Sequence, residues 1–490
     1  ASCLVGSEMC IRDSTIAGFY RYSDQLNISK YIYKDLYSNG ELFQQVNRND
    51  NEDEIGNSIE SSINYRKTFK KKDELFTIDL QWSESDDLEQ SNIDQFNFLS
   101  DEALFQKTRN IEANQTYLMQ SDYARPIGKD GLFEIGTRVT LRTIENVFKV
   151  EQKDQNQEFQ ILQGYNNDFE YKENIYAAYL MYGNKYKKFS YQFGFRTEVS
   201  DIGTELRLTN EKNKWDYTNL FPSINFSYEF ENKNTLQLSY SKRINRPSYR
   251  YLLPFQTFSD QRNLWRGNPD LQPEFTDSYE FGYLKYFEKG SLFSSVYYRH
   301  REGVINRVLV TDELGFAQRL PINLSTQENF GFEFNANYKF NKNTNLNSSF
   351  NFYRAISFGS YQGLNLDNDI YAWSNRSVFK TQILPKVDFQ ISSRYRSPQK
   401  TGQGKNKSVY SIDLSASKDV LKGKGTLVAS VRDILNSRKR RSIVETEQFY
   451  SDSEFQWRAR QFLLSFTYRI NEKKKSGGGP NGDINSGDDF

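Results

Sequence analysis

Histidine is almost missing from this sequence of 490 residues: His300 is the single one, set between Arg299 and Arg301. A histidine-based triad or a multi-histidine metal centre therefore has almost no material. Cysteine occurs only at Cys3 and Cys10, which removes thiol catalysis, zinc–thiolate clusters and a disulfide framework from the body of the chain. No stretch approaches the roughly 20 apolar residues that a membrane helix needs, and the longest candidate, Ile175 to Tyr182, is interrupted by tyrosines. Charge of one sign is lacking as well. Lys+Arg 64 against Asp+Glu 63 leaves a net charge of +1, so nothing in the balance calls for nucleic acid. Paired carboxylates such as Asp86-Asp87 do occur, but solvated charge explains them without catalysis. The chain reads as a protein that is not an enzyme, with no cofactor and no metal centre.

Aromatic residues are abundant. The hydrophobic share is 37% and mean hydropathy is −0.78, yet Phe 38 and Tyr 33 bring aromatics to 16%. Disordered chains lack aromatics. A barrel with an apolar outer face and a wet interior combines both properties.

The clearest repeat lies between Phe221 and Arg301. Ile224, Phe226, Tyr228 and Phe230 alternate with Asn225, Ser227 and Glu229, and after Glu231-Asn232-Lys233-Asn234 the alternation resumes with Leu236, Leu238 and Tyr240. That is a β-hairpin with one apolar and one polar face. A long connection from Arg246 to Pro273 follows, holding four of the ten prolines, and a second hairpin turns at Glu288-Lys289-Gly290. The same unit recurs elsewhere. Ile59 to Phe69 and Leu75 to Trp82 flank Lys70 to Asp73; Gln115, Tyr117, Met119, Ser121 and Tyr123 share a face, as do Phe133, Ile135, Thr137, Val139 and Leu141. The opposite face of that last strand carries Arg138 and Arg142 and cannot touch lipid. Ile175, Ala177, Tyr179 and Met181 are grouped in the same way, followed by a turn near Gly183-Asn184-Lys185 and by Phe189, Tyr191, Phe193 and Phe195. Phe330, Phe332, Phe334 and Tyr338 are expected to face outward, with Glu333, Asn335 and Asn337 inward. Phe462 to Ile470 reads as a terminal strand.

About nineteen candidate strands have roughly the 9 to 11 residues that a tilted membrane-crossing strand requires. Short turns alternate with long polar connections, among them Asn47 to Asn57. A soluble solenoid or propeller would show a fixed repeat length, which is absent. The fold class is thus all-β, a large antiparallel transmembrane β-barrel. Residues 15–470 form it, beginning with weak strands at Thr15 to Tyr22 and Ile28 to Leu36. Residues 1–14 look like a translated adapter segment, and residues 471–490 read as a flexible tail rich in Lys and Gly.

Several stretches together resemble a known group: Gly267-Asn268-Pro269-Asp270-Leu271-Gln272-Pro273-Glu274, Tyr240 to Pro247, Asp122-Tyr123 with Pro126, Asn174 to Tyr179, and Asp433-Ile434-Leu435-Asn436. In this order they resemble the outer-membrane β-barrel proteins of Bacteroidota related to TonB-dependent receptors. The resemblance implies a 22-stranded barrel with an amino-terminal plug in the cell outer membrane, importing a scarce nutrient with energy from the TonB complex. Outer-membrane lipid and lipopolysaccharide would surround it. No plug or TonB-contacting segment is visible here, so that contact is assigned to a missing amino-terminal part. A plugless structural, adhesive or porin-like barrel is the alternative, and the upstream coding sequence would discriminate the two.

The best ligand candidates are Arg246, Tyr249, Arg250, Tyr251, Phe255, Trp265 and Arg266, where aromatic faces and guanidinium forks interleave. Small molecules, peptides and glycans all suit such a surface, and so does a loop folded back on the rim. Asp50 to Glu54 offers oxygen ligands for calcium but lacks EF-hand spacing. Arg438-Lys439-Arg440-Arg441 could meet lipopolysaccharide phosphates, or be a solvated loop. Finally, an odd count of nineteen makes the first and last strands run the same way. An open seam is then expected between the Thr15 region and Phe462 to Ile470.

Overall fold

The computed structural model describes residues 12–37, 39–253, 263–311, 317–446, 450–456 and 458–470. Strand dominates, and the main sheet has nineteen strands. The chain divides into two compact units, one of residues 1–229, 237–280 and 299–327 and the other of residues 230–236, 281–298 and 328–490. Among the described residues no helix is long and apolar enough to cross a membrane, which leaves crossing by strands untouched.

In the first unit, antiparallel pairing runs through Arg12–Leu36, Leu42–Thr68, Leu75–Asn97, Glu102–Ile127, Gly131–Lys153, Asn167–Tyr186, Phe189–Leu206 and Glu211–Glu229. Its register explains the sequence pattern. Ile16, Ile63, Leu80, Met119, Val139, Tyr176 and Val199 stand directly opposite one another on successive strands, and Ile135, Leu180 and Phe195 form a parallel row. Most of these side chains are exposed, Ile63, Met119, Leu180 and Phe195 among them. They belong to one apolar band on this face, as a sheet facing hydrocarbon requires.

Register also corrects one face. Tyr179 is opposite Gly136 and Ala177 opposite Arg138, so Ile175, Ala177, Tyr179 and Met181 share the arginine-bearing face, while Tyr176, Ala178, Leu180 and Tyr182 lie on the apolar one. That strand has plausible apolar residues on both faces, and a one-residue choice exchanges them all. Tyr179 donates to the Asp122 carboxylate there, in space that only Gly136 leaves open, since a Cβ would overlap both side chains.

The polar stretches expected to be loops are strands. Asn47 to Asn57 lies inside Leu42–Thr68, residues 83–97 and 102–114 belong to two more strands, and Thr15 to Tyr22 and Ile28 to Leu36 are halves of one, Arg12–Leu36. Beyond the apolar band both faces meet polar surroundings, so the ladder continues while the alternation that reveals it disappears. Within this strand Asp50, Glu52 and Glu54 share one face and Asp53 lies on the other. No group of three metal-ligating side chains occurs among the described residues. The turn expected near Gly183 falls at residues 187–188, past a strand that runs to Tyr186.

In the second unit, Thr344–Phe358, Asn368–Leu384, Val387–Arg396, Val409–Val420, Gly425–Arg432 and Gln461–Tyr468 pair in order. Phe332 meets Phe350 and Phe352, Phe334 meets Phe350, and Phe330, Phe334 and Phe340 are exposed, an aromatic face of the kind expected. On the other face Asn337 bonds Asn347, and Tyr297 bonds Asn351 beneath Gly331. The long connections carry a small sheet in which Arg440–Glu445 pairs with Tyr450–Phe455. There Lys439 and Arg441 both bind Glu454, at 2.6 and 2.7 Å, and hold its carboxyl below the usual range. The basic run is thus partly strand, with two of its charges neutralised.

The nineteenth strand, Phe159–Ile161, has three residues and cannot cross a bilayer. Eighteen strands of eight residues or more remain, an even number. The expected count of nineteen strands is met, but the parity step that made the first and last strands run the same way does not hold for the eighteen long ones.

Candidate functional site

Asn245 ends its strand, and the chain turns onto the polar face of the first unit instead of continuing outward. Arg246 reaches the wall first. Its guanidinium donates to Glu198 Oε2 at 2.6 Å and Ser200 Oγ at 2.8 Å, and lies over the Tyr217 ring. Glu198 also accepts from Arg196 Nε at 2.7 Å, so two guanidinium groups share one carboxylate. Such bonds to an ion are stronger than neutral ones.

Residues Tyr249–Leu252 then form one helical turn. Tyr249 and Leu252 are buried with Leu271 against Ile144, Phe169, Tyr171 and Ile202 from three strands of the wall. The Tyr249 hydroxyl donates to Glu112, and burial pushes this phenol well above its ordinary range, which keeps it protonated and a donor. Arg250 Nε donates to the Tyr249 oxygen at 3.1 Å, and its terminal nitrogen lies 3.5 Å from Glu112. Even so, 68% of the Arg250 side chain is open to solvent.

The returning chain is held by the Gly267-Asn268-Pro269-Asp270 stretch. Asn268 N–H donates to the Tyr251 carbonyl at 2.6 Å, its side chain donates to the Pro321 carbonyl, and its oxygen accepts from Asp270 N–H. A side chain at Gly267 would overlap the Tyr251 and Leu253 carbonyls, so this close approach requires glycine. Asn263–Trp265 pairs with Ala317–Asn323, which pairs with Ile305–Thr311. Asn323 bonds Gln272 in both directions, and Glu274 accepts from Ile305 N–H and from Asn245. Two long connections are thereby tied into one body with its own apolar core of Leu264, Val308, Leu309 and Ile322.

The candidates divide by position. Arg246 and Tyr249 face the wall. Tyr251 and Trp265 stack with centroids 5.5 Å apart under the guanidinium of Arg307, while Arg250 and Arg266 are exposed nearby. Phe255 lies outside the described residues. Glu112, Glu198, Ser200 and Arg307 escaped the sequence reading. The alternation Arg196-Thr197-Glu198-Val199-Ser200 does place three polar groups on one face, but nothing local says what they bind.

Several comparisons agree with this architecture. The sequence pattern described as the outer membrane protein beta-barrel family matches residues 67–468. No curated protein matches the sequence. Among solved structures, the copper transporter OprC is similar with a TM-score of 0.54 at 12% identity, over 93% of this chain and 79% of that one. The siderophore receptor PiuA from Acinetobacter baumannii gives 0.53 at 10% identity, over 93% and 80%. The FrpB iron transporter from Neisseria meningitidis, F5-1 variant, gives 0.51 at 11% identity, over 95% and 82%. At such identities the likeness is one of fold.

Proposed function

The chain belongs to the outer membrane protein beta-barrel family, whose place is the outer membrane, and from that premise we propose that it is the barrel portion of a TonB-dependent receptor that binds and imports a scarce nutrient. The observation that carries this reading is the folded body made by residues 246–253 and 263–273 with the Ile305–Thr311 and Ala317–Asn323 strands. A barrel that served only as a scaffold has no need to tie two connections together and set a half-buried Tyr251–Trp265 pair among the exposed Arg250, Arg266 and Arg307. Ordered aromatic and guanidinium groups lose little entropy on binding and suit flat or anionic ligands. OprC is a copper transporter, PiuA a siderophore receptor and FrpB an iron transporter, and these give the class of cargo to test.

The partner that energises import would be the TonB complex, acting through an upstream plug, and the surroundings are outer-membrane lipid and lipopolysaccharide. Whole-cell accumulation of copper, a ferric siderophore and short peptides, with and without a working TonB complex, tests the proposal. Uptake that stops without TonB is expected. Diffusive uptake indifferent to TonB would instead favour the porin-like alternative. Replacing Trp265 or Arg266 by Ala is expected to weaken ligand binding by about tenfold each, the loss typical of one anchoring side chain.

A further inference from the structure

From the way this segment is fastened, we infer that Arg246 to Leu252 is a releasable latch, and that letting go of Arg246 and Tyr249 uncovers the inner face of the first unit. The fastening has two polar points and one apolar patch. Arg246 binds Glu198 and Ser200, Tyr249 binds Glu112, and Tyr249 and Leu252 close over Ile144 and Tyr171.

Glu198 keeps Arg196 at 2.7 Å when Arg246 leaves, so lifting the segment does not strand this carboxylate as a lone buried ion. Arg246 itself passes into water, where a guanidinium is well solvated. A purely structural ion pair is normally costly to break because it leaves one charge buried and alone; here Arg196 removes that cost. The spare guanidinium makes the contact reversible instead of permanent, and Arg196 is therefore a positioning residue for release. Arg250, within the latch, touches Tyr249 and Glu112 while remaining mostly exposed, so Glu112 gives up both contacts on release and meets water as the face is uncovered.

The test reads the accessibility of Ile144, which is fully buried in the cluster that Tyr249 and Leu252 join. Ile144→Cys is placed in the full chain with Cys3→Ser and Cys10→Ser, and a membrane-impermeant maleimide is added to the folded protein in lipid vesicles. Slow labelling is expected in this background. Adding Arg246→Met and Tyr249→Phe should raise the rate by about tenfold or more, as expected when local opening controls reactivity. Arg196→Met should do the opposite and slow labelling, because Glu198 then has no second guanidinium to fall back on.

An unchanged rate in either variant would overturn the latch, and faster labelling with Arg196→Met would show a merely structural contact. Heat-modifiable gel migration verifies folding. Should the double variant not fold, Tyr249→Phe alone, which removes one oxygen, must still give faster labelling than the background. Labelling needs neither ligand nor energised import, so its outcome is independent of the receptor reading.

Discussion

Asp87 and Glu89 sit on adjacent rungs above the apolar band, Asp87 opposite Gly56 and Glu112, and Glu89 opposite Glu54 and Asn110. Burial raises both carboxyls above the ordinary range. Neighbouring Glu112, Glu54 and Asp86 add to this for Asp87, whereas an Asn110 hydrogen bond partly opposes it for Glu89. The sign of the pH effect follows. A raised folded-state value means that the native state holds more protons than the unfolded one between the two values, so stability falls as pH rises through that window. The window opens near the unfolded values of about 3.9 for Asp and 4.3 for Glu and extends up to the raised folded values. Asp87→Asn with Glu89→Gln is expected to be more heat-stable than the parent at neutral pH, with the difference vanishing toward pH 4. Melting of the purified barrel across this range would show it, and equal profiles would contradict it. At Gly136, Val should force Tyr179 and Asp122 apart and cost about 1–3 kcal/mol, the usual penalty of overpacking, measurable as a lower denaturant midpoint. None of these contacts was legible in the sequence, because each joins residues on different strands and depends on a register that the chain does not print.

Strands were legible wherever one face meets lipid. The runs Phe189 to Phe195, Ile224 to Phe230 and Phe330 to Tyr338 show their faces directly, since each alternates bulky apolar groups with polar ones. Where the ladder rises past the apolar band, as from Asn47 to Asn57, the same backbone pairing carries no such mark. Asn174 to Tyr182 misleads for a different reason, having apolar or aromatic residues at both parities. Its faces can be tested by charge. Leu180→Lys puts an ammonium on the apolar row beside Ile135 and Phe195, and should cost about 2–4 kcal/mol near mid-membrane. Met181→Lys, beside Glu134 and Gly194 on the polar face, should cost much less. Refolding yield and unfolding midpoints in lipid compare the two. A larger loss at Met181 would restore the grouping that the sequence suggested and register now contradicts. The candidate site was legible as a region only: clustered prolines, aromatics and arginines marked the Arg246 to Pro273 connection, but which side chains turn to the wall depends on Glu112 and Glu198, distant in sequence.

At the scale of the molecule, the eighteen long strands among the described residues assign the connections between them to one of two sides. The turns at residues 69–74, 128–130 and 187–188 share a side in the first unit, opposite the connections after Asn97, Lys153 and Leu206. In the second unit the turns at 385–386 and 421–424 share a side, opposite the connections at 359–367 and 397–408. Outer-membrane barrels keep short turns toward the periplasm and long connections outside. The topology can therefore be read with a peptide epitope inserted one site at a time. Insertions between Leu208 and Thr209 or between Gln362 and Gly363, both in exposed turns, should be stained by antibody on intact cells. Insertions between Lys187 and Lys188 or between Pro385 and Lys386 should be stained only after the outer membrane is opened. An even count of crossings among the described residues puts the start of Arg12–Leu36 and the end of Gln461–Tyr468 on the periplasmic side, so an epitope placed just before Arg12 and another after Ile470 should both stay hidden on intact cells. Surface staining of one end and not the other would restore the odd count, and with it the expectation that the two end strands run the same way.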